Sequence, residues 1–170
     1  MLSDRNIPTL DNAFVAAQKI NIKLNANKAH KIVVSAAVSA AGIGAAPIPF
    51  SDVAGIVPVQ IGMLARISVI FGLSVDKLAL STLVGSLFGA GGGAFGGRVL
   101  VGNLLKLFPG AGSLAGAAIS GTTAGALTTM IGESYIAVIV RLIKRNNGQI
   151  PTTEEVSTAF RREHSLLGSR

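Results

Sequence analysis

The sequence predicts an all-α protein: one helical domain of about six helices, spanning residues 1–170, with a glycine-zipper antiparallel hairpin at its centre. Three observations carry this. Apolar residues recur at spacings of three and four along nearly the whole chain, and no stretch alternates as a strand would. Proline and glycine clusters punctuate the pattern at helix-length intervals. Charged residues make up 14% of the chain, against roughly 25% in soluble domains. The shortage is concentrated in the middle, where only seven of the 109 residues from Ile32 to Val140 are charged. A surface so poor in charge needs a cover: lipid, other subunits or an attached domain.

The elements follow in order. Over residues 9–28, Leu10, Phe14, Ala17, Ile20 and Leu24 share one face and Lys19 and Lys23 fall elsewhere, which predicts an amphipathic helix. Residues 29–146 form an apolar helical core. Its first helix is built of small residues and ends at Pro47-Ile48-Pro49. Ser51 or Asp52 caps the next, which runs to about Phe71, with Pro58 bending it or marking its start. Gly72 stops that helix, and Ser74 with Asp76 opens a third. Pro109-Gly110 marks a sharp break. A long helix follows and ends at Asn146-Asn147-Gly148, with Arg141, Lys144 and Arg145 on the polar face of its last turns. Thr152 and Glu155 make a capping box for a short C-terminal helix over 152–165.

The stretch LVGSLFGAGGGAFGGRVLVG holds seven glycines between Gly85 and Gly97. By letter it overlays a dinucleotide fingerprint, but no strand precedes it and no acidic residue follows at the required distance. As a P-loop it lacks both the lysine and the Ser/Thr. A flexible linker would not interleave its glycines with Leu87, Phe88, Phe95 and Val99. Spacing offers a better account. Ser81, Gly85, Gly89, Gly93 and Gly97 recur every four residues, and a second ladder follows the break: Gly112, Gly116, Ser120, Ala124, Thr128 and Gly132. Such ladders let two helices approach backbone to backbone. Seven helical glycines cost on the order of 6 kcal/mol relative to alanine, at about 0.8–1 each, so the stretch must be packed against protein or lipid. Leu78–Gly97 and Leu107–Gly132 are uncharged runs of 20 and 26 residues, of the length that spans a bilayer. Their Gly/Ala richness suits reversible insertion or an oligomer core equally well.

Charge and composition narrow the function. The net charge of +7 sits at the ends, with an excess of three cations in residues 1–31 and again in 141–170. Lys19, Lys23, Lys28, Lys31, Arg141, Lys144 and Arg145 are thus placed to meet an anionic membrane surface from one side. With no Trp and one Tyr, nothing resembles the basic, aromatic-lined face of a nucleic-acid binder. There is no cysteine, which excludes disulfides and thiolate chemistry. MLSDRNIPTLDN is too polar for a cleaved secretory signal. His30 and His164 stand alone and form no metal site, and no nucleophile–base or paired-carboxylate arrangement is visible. The chain is expected to be no enzyme and to take no cofactor. Asp52, Gln60 and Arg66 are candidate partner contacts or polar ties between helices. Asp52 and Arg66 lie about 21 Å apart along one helix and cannot pair. No ion pair is expected between Arg98 and Glu133 either.

Several segments together resemble a known family. They are Ala13-Phe14 with Ala17-Gln18, AAPIPFSD (45–52), Gln60 with IGMLARISVIFG (61–72), LLKLFPGAGS (104–113) and TTMIGESY (128–135). Over about Ile7 to Phe160 the chain is similar to domain-of-unknown-function family 697. The resemblance implies a helical domain that in bacteria commonly follows an Era-like or dynamin-like GTPase domain and also occurs in membrane-associated proteins. It supplies no catalytic residues. The chain has no complete P-loop or switch motifs, so the implied GTPase is a partner protein or a domain outside this sequence. The expected function is a membrane-associated effector or assembly domain, on the cytoplasmic side, working with a GTPase and inserting or homo-oligomerising through its glycine-rich hairpin. The alternative is a soluble homo-oligomeric scaffold whose apolar surface is buried between subunits.

Overall fold

In a computed structural model of the chain, residues 10–46, 51–90 and 111–167 are described, with side chains over 12–46, 55–85 and 116–163. Five helices occupy them: α1 (Leu10–Gly44), α2 (Ser51–Ile70), α3 (Lys77–Ala90), α4 (Ala111–Arg145) and α5 (Thr153–Leu167). No strand is present among the described residues. The sixth helix expected from the sequence is not among these five.

The helix ends follow local chemistry. Asp76 Oδ1 accepts from the backbone N–H groups of Leu78 (2.9 Å) and Ala79 (3.3 Å), satisfying donors that the first turn of α3 cannot pair. At α5 the capping box closes in both directions: Thr152 N–H donates to Glu155 Oε2 (2.7 Å) and Glu155 N–H to Thr152 Oγ1 (3.2 Å). Gly72 ends α2 with φ +77°, which lets Leu73 N–H reach back to the Ser68 carbonyl at 2.9 Å. Asn147 and Gly148, both at positive φ, end α4 in the same way. Pro58 lies inside α2, which starts seven residues earlier at Ser51.

One difference from the sequence reading concerns α1. The change of composition at Ala29 does not break it, and a single helix of 35 residues runs through to Gly44. Nor does the face of Phe14, Ala17, Ile20 and Leu24 pack inward; Phe14 is 67% exposed and Ile20 60%. The packing face lies one step round the helix, where Ile22 and Ala26 lean on the core and Ala29 and Val33 are fully buried. Alanines at these positions let α1 come closer than leucines would allow.

α1 and α4 run antiparallel along most of their length. Val33 meets Gly132 and Ala41 meets Gly121, while Gly44 meets Ser120 and Ala124. The expected glycine hairpin rests largely on residues 91–110, which lie outside the described residues. Over its described part, the second small-residue ladder (Gly116, Ser120, Ala124, Thr128, Gly132) is buried, and its partner is α1. The pairing is geometric: α1 carries a matching stripe, Ala29, Val33, Ala36, Ala40 and Gly44, that lies along the described part of the ladder. Of the first ladder, Ser81 and Gly85 are exposed, and no described atom lies within 4 Å of where a Gly85 side chain would start. The surroundings of Gly89 and Gly112, together with Gly93 and Gly97, lie outside the described residues, and so do Arg98 and His164.

α2 crosses both long helices, antiparallel to α1 and parallel to α4. Gly55 meets Ile43, Gln60 meets Thr128, and Met63 meets Gly132. The large core residues collect beyond that point. Met63, Leu64, Ile67, Phe71, Tyr135, Ile139, Val156 and Phe160 form one cluster with α3 and α5. There Tyr135 and Phe160 meet edge to face at 5.6 Å and 78°, a contact contributing about 0.5–1.5 kcal/mol beyond its burial. At the other end of the bundle the core thins to Ala40, Ile56 and Ala124, with Ile43 against them.

Candidate functional site

The register of α1, α2 and α4 has a consequence for charge. Val33, Met63 and Gly132 meet at one level of the bundle. On one side of it run residues 34–46 of α1, 55–62 of α2 and 116–131 of α4, and none of these is charged. On the other side, within one turn, come Lys31 and His30 on α1, Arg66 on α2 and Glu133 on α4. Among the residues whose side chains are described, the bundle therefore has a charge-free half closed by a collar of ionisable side chains. Asp52, in the first turn of α2, belongs by sequence to the tip of that half; its side chain lies outside the described residues.

The surface of the charge-free half is apolar or small. Val38 is 69% exposed and Val34 60%, and Met130 and Ile119 are partly exposed beside them on α4. Ala45, Pro58, Gly62, Ala118 and Ala126 fill the spaces between. Three hydroxyls on this surface donate to the carbonyl four residues back in their own helices. They are Ser39 to Ser35 (3.0 Å), Thr122 to Ala118 (2.6 Å) and Thr129 to Gly125 (2.9 Å). A hydroxyl satisfied within its helix makes no demand on the solvent around it.

Within the collar, His30 Nδ1 lies 2.7 Å from Glu133 Oε1, a polar contact that joins α1 to α4. Sequence reading missed it, because the residues are a hundred positions apart and only the antiparallel register brings them together. Arg66 is exposed, lining a groove with Ile32 and Ser35 between α1 and α2, rather than acting as a buried tie. Lys31 and Arg66 make no ion pair with a described residue.

Gln60 lies fully buried, and its Nε2 donates to Thr128 Oγ1 at 3.2 Å, tying α2 to α4. Its Oε1 has no partner among the described residues. A second tie lies in the larger core, where Tyr135 Oη and Ser68 Oγ are 2.9 Å apart and Ser68 Oγ also donates to the Leu64 carbonyl. Burial pushes the Tyr135 phenol above its ordinary value of 10.0, and the Ser68 hydrogen bond pulls it back in part.

The basic residues picked out in the sequence are all exposed, Lys31 in the collar and the other six beyond it. Antiparallel packing puts Lys19, Lys23 and Lys28 of α1 at the same end as Arg141, Lys144 and Arg145 of α4. Arg141 forms a two-pronged pair with Glu163 of α5 at 3.1 and 3.3 Å. The groove between α4 and α5 holds about 670 Å³, and arginines and glutamates alternate round it, leaving no net charge to hold an anion. Among the described residues no cluster of His, Asp or Glu is placed to hold a metal. Gly116–Arg145 is the only described helix long and apolar enough to cross a membrane, by length and composition alone. Half of that window is buried inside the bundle, as in the central helix of many soluble folds.

Comparison with known proteins adds two findings. The chain is 30% identical over 106 residues to "Magnetosome membrane protein 22" of Magnetospirillum gryphiswaldense, covering 62% of this chain and 53% of the relative. The aligned stretch thus spans about half the length of that relative. No solved structure matches the chain. The family described as "Domain of unknown function (DUF697)" matches residues 11–163, from the second residue of α1 into α5 and so across all five helices, and the chain belongs to that family.

Proposed function

We propose that this chain is a non-catalytic, membrane-associated helical domain, acting on the cytoplasmic side, that works with a GTPase and inserts or assembles through its charge-free half. The observation that carries the reading is the segregation of charge: three helices place uncharged stretches, residues 34–44, 55–62 and 116–131, at one end, bounded by Lys31, Arg66 and the His30–Glu133 pair. The name of the similar magnetosome protein supports membrane contact. The GTPase partnership draws its support from the family resemblance. Flotation of the purified chain with vesicles containing anionic lipid tests the membrane reading. Recovery with the floating lipid is expected, and recovery wholly in the soluble fraction refutes it. In-cell crosslinking with mass spectrometry tests the partnership, which fails when no P-loop GTPase is recovered.

A second reading has one observation in its favour. Val34 and Val38 stand out from α1 with nothing over them, and a second copy of the chain would cover them as well as lipid does. That reading is a soluble homo-oligomeric scaffold. Light scattering on the detergent-free protein separates the two, since the scaffold forms a discrete oligomer without lipid.

A further inference from the structure

Resting on the membrane reading above, we infer that the bundle enters an anionic leaflet end-on, charge-free half first, with Lys31 and Arg66 at the level of the lipid phosphates. The dimensions fit one leaflet. From Val33 to Gly44 α1 advances about 17 Å, and from Gly116 to Gly132 α4 advances about 24 Å. The hydrocarbon of a bilayer is about 30 Å thick, or about 15 Å for each leaflet. Over the residues whose side chains are described, the charge-free half is therefore at least as deep as one leaflet. α4 enters as part of a bundle, with its first half sheltered by α1 and α2, rather than crossing alone.

Two features favour the end over any one side. Charge is missing from the described side chains of α1, α2 and α4 alike on this half, so each of the three helices offers acyl chains an uncharged surface there. The exposed hydroxyls of Ser39, Thr122 and Thr129 are already bonded to their own helices, which removes the cost of taking an unsatisfied donor out of water. A bundle lying flat on α1 would instead press Asn27 and Lys31 against lipid, since they share the outer line of the helix with Ile20, Leu24 and Val38. At the collar, Lys31 and Arg66 are exposed cations without a described acidic partner, and an anionic phosphate layer complements them. Asp52 stands by sequence at the leading end, and Arg98 and Lys106 precede α4 in residues that lie outside the described ones.

The chain has no native cysteine, so single-cysteine variants carry a label at one position only. Val38→Cys, Met130→Cys, Ile20→Cys and Ala137→Cys are all at exposed sites and leave the core intact. Each is labelled with a polarity-sensitive fluorophore and mixed with vesicles of phosphatidylcholine, alone or with anionic phosphatidylglycerol. End-on entry shifts the labels at 38 and 130 to the blue and exposes them to quenching by chain-brominated lipid, while those at 20 and 137 stay aqueous. Lys31→Gln and Arg66→Gln each weaken binding to the anionic vesicles about five-fold, the effect of one cation near such a surface. Entry of the label at 20 together with that at 38 means a flat pose and overturns the inference. So does binding to anionic vesicles that neither glutamine variant weakens. A label at 38 shielded before lipid is added, and unchanged afterwards, assigns the surface to a second copy and overturns the end-on pose. Failure of every variant and the parent chain to bind any vesicle overturns the membrane reading along with it.

Discussion

Replacing Gly121 with alanine puts a methyl group where the backbone of α4 lies against that of α1. A β-carbon there lies 2.9 Å from the Ala41 carbonyl oxygen, 3.1 Å from the Ala45 β-carbon and 3.3 Å from the Ala45 nitrogen. Two of these three atoms are backbone, so no rotamer change relieves the clash and the helices must separate. Overpacking of this kind costs about 1–3 kcal/mol. The same substitution also favours the helix by about 0.8–1 kcal/mol, which blurs a measurement made on Gly121 alone. Gly62 supplies the control. It lies in the interior of α2 and is exposed, with nothing within 4 Å of its would-be β-carbon, so Gly62→Ala gains the helix term without the clash. The difference between the two variants isolates the packing cost. Thermal unfolding followed by helical circular dichroism, in one mild detergent for all samples, reads it. At about 2–4 °C per kcal/mol for a chain of this size, Gly62→Ala raises the midpoint by a few degrees, and Gly121→Ala falls below it by about 1–3 kcal/mol. Equal midpoints would show that α1 and α4 are not in backbone contact, and the small-residue stripe would lose its explanation.

Two further outcomes follow from the buried polar ties. Thr128→Val keeps the shape of the side chain but strands Gln60 Nε2 in the core; it should cost about 1–3 kcal/mol in denaturant unfolding, and a paired Gln60→Leu should recover most of that, since removing both partners is close to neutral. Tyr135 holds its proton in the fold to higher pH than in the unfolded chain, so above pH 10 the unfolded state binds fewer protons and stability falls as pH rises. The contribution is whole below the unfolded value of 10.0 and is lost through the window above it. Because this is the only tyrosine, ultraviolet absorbance follows its titration directly, and Tyr135→Phe should flatten the alkaline fall in stability. An unchanged slope in that variant would locate the effect elsewhere.

Much of the fold is written in short-range signals. Asp76, Gly72, Asn146-Asn147-Gly148 and the Thr152–Glu155 box each act within a few residues, and caps of this kind are decided by local hydrogen bonding. The family is legible for a related reason: one marker segment, residues 61–72, ends at the Gly72 stop, and another, residues 128–135, lies on the small-residue face of α4. Partner choice was harder. The ladder from Gly116 to Gly132 announces close packing, yet small residues accept any helix with a matching stripe, and the sequence offers two candidates. The neighbouring ladder at Ser81 and Gly85 looked nearer along the chain. The stripe on α1 lies along the described part of the second ladder because α1 is continuous from Leu10 to Gly44, and no rule of composition at Ala29 foretells that continuity. The outward turn of Phe14 and Ile20 has the same origin: one rigid helix has a single packing face, and Ala29, Val33, Ala36 and Ala40 fix where it points.

Register also turns a charge-poor sequence into a polarised object. In the linear chain the uncharged runs after Lys31, before Arg66 and before Glu133 are separate intervals of different lengths, and each alone is a marginal hydrophobic segment. Antiparallel pairing of α1 with α4, and the parallel lie of α2 on α4, align one boundary of all three. That boundary is where Val33, Met63 and Gly132 meet, with Lys31, Arg66 and Glu133 just beyond it. A sequence built only to make a soluble core has no need to align its charges this way, because a core is satisfied by burying apolar side chains at any level of the bundle. The alignment lies on the outside, where Val34 and Val38 face outward and where Ser39, Thr122 and Thr129 have bonded inward. Outer surface is what a surrounding medium acts on. A medium that excludes charge up to a fixed depth, and welcomes cations at its edge, accounts for the collar and for the bare surface above it together.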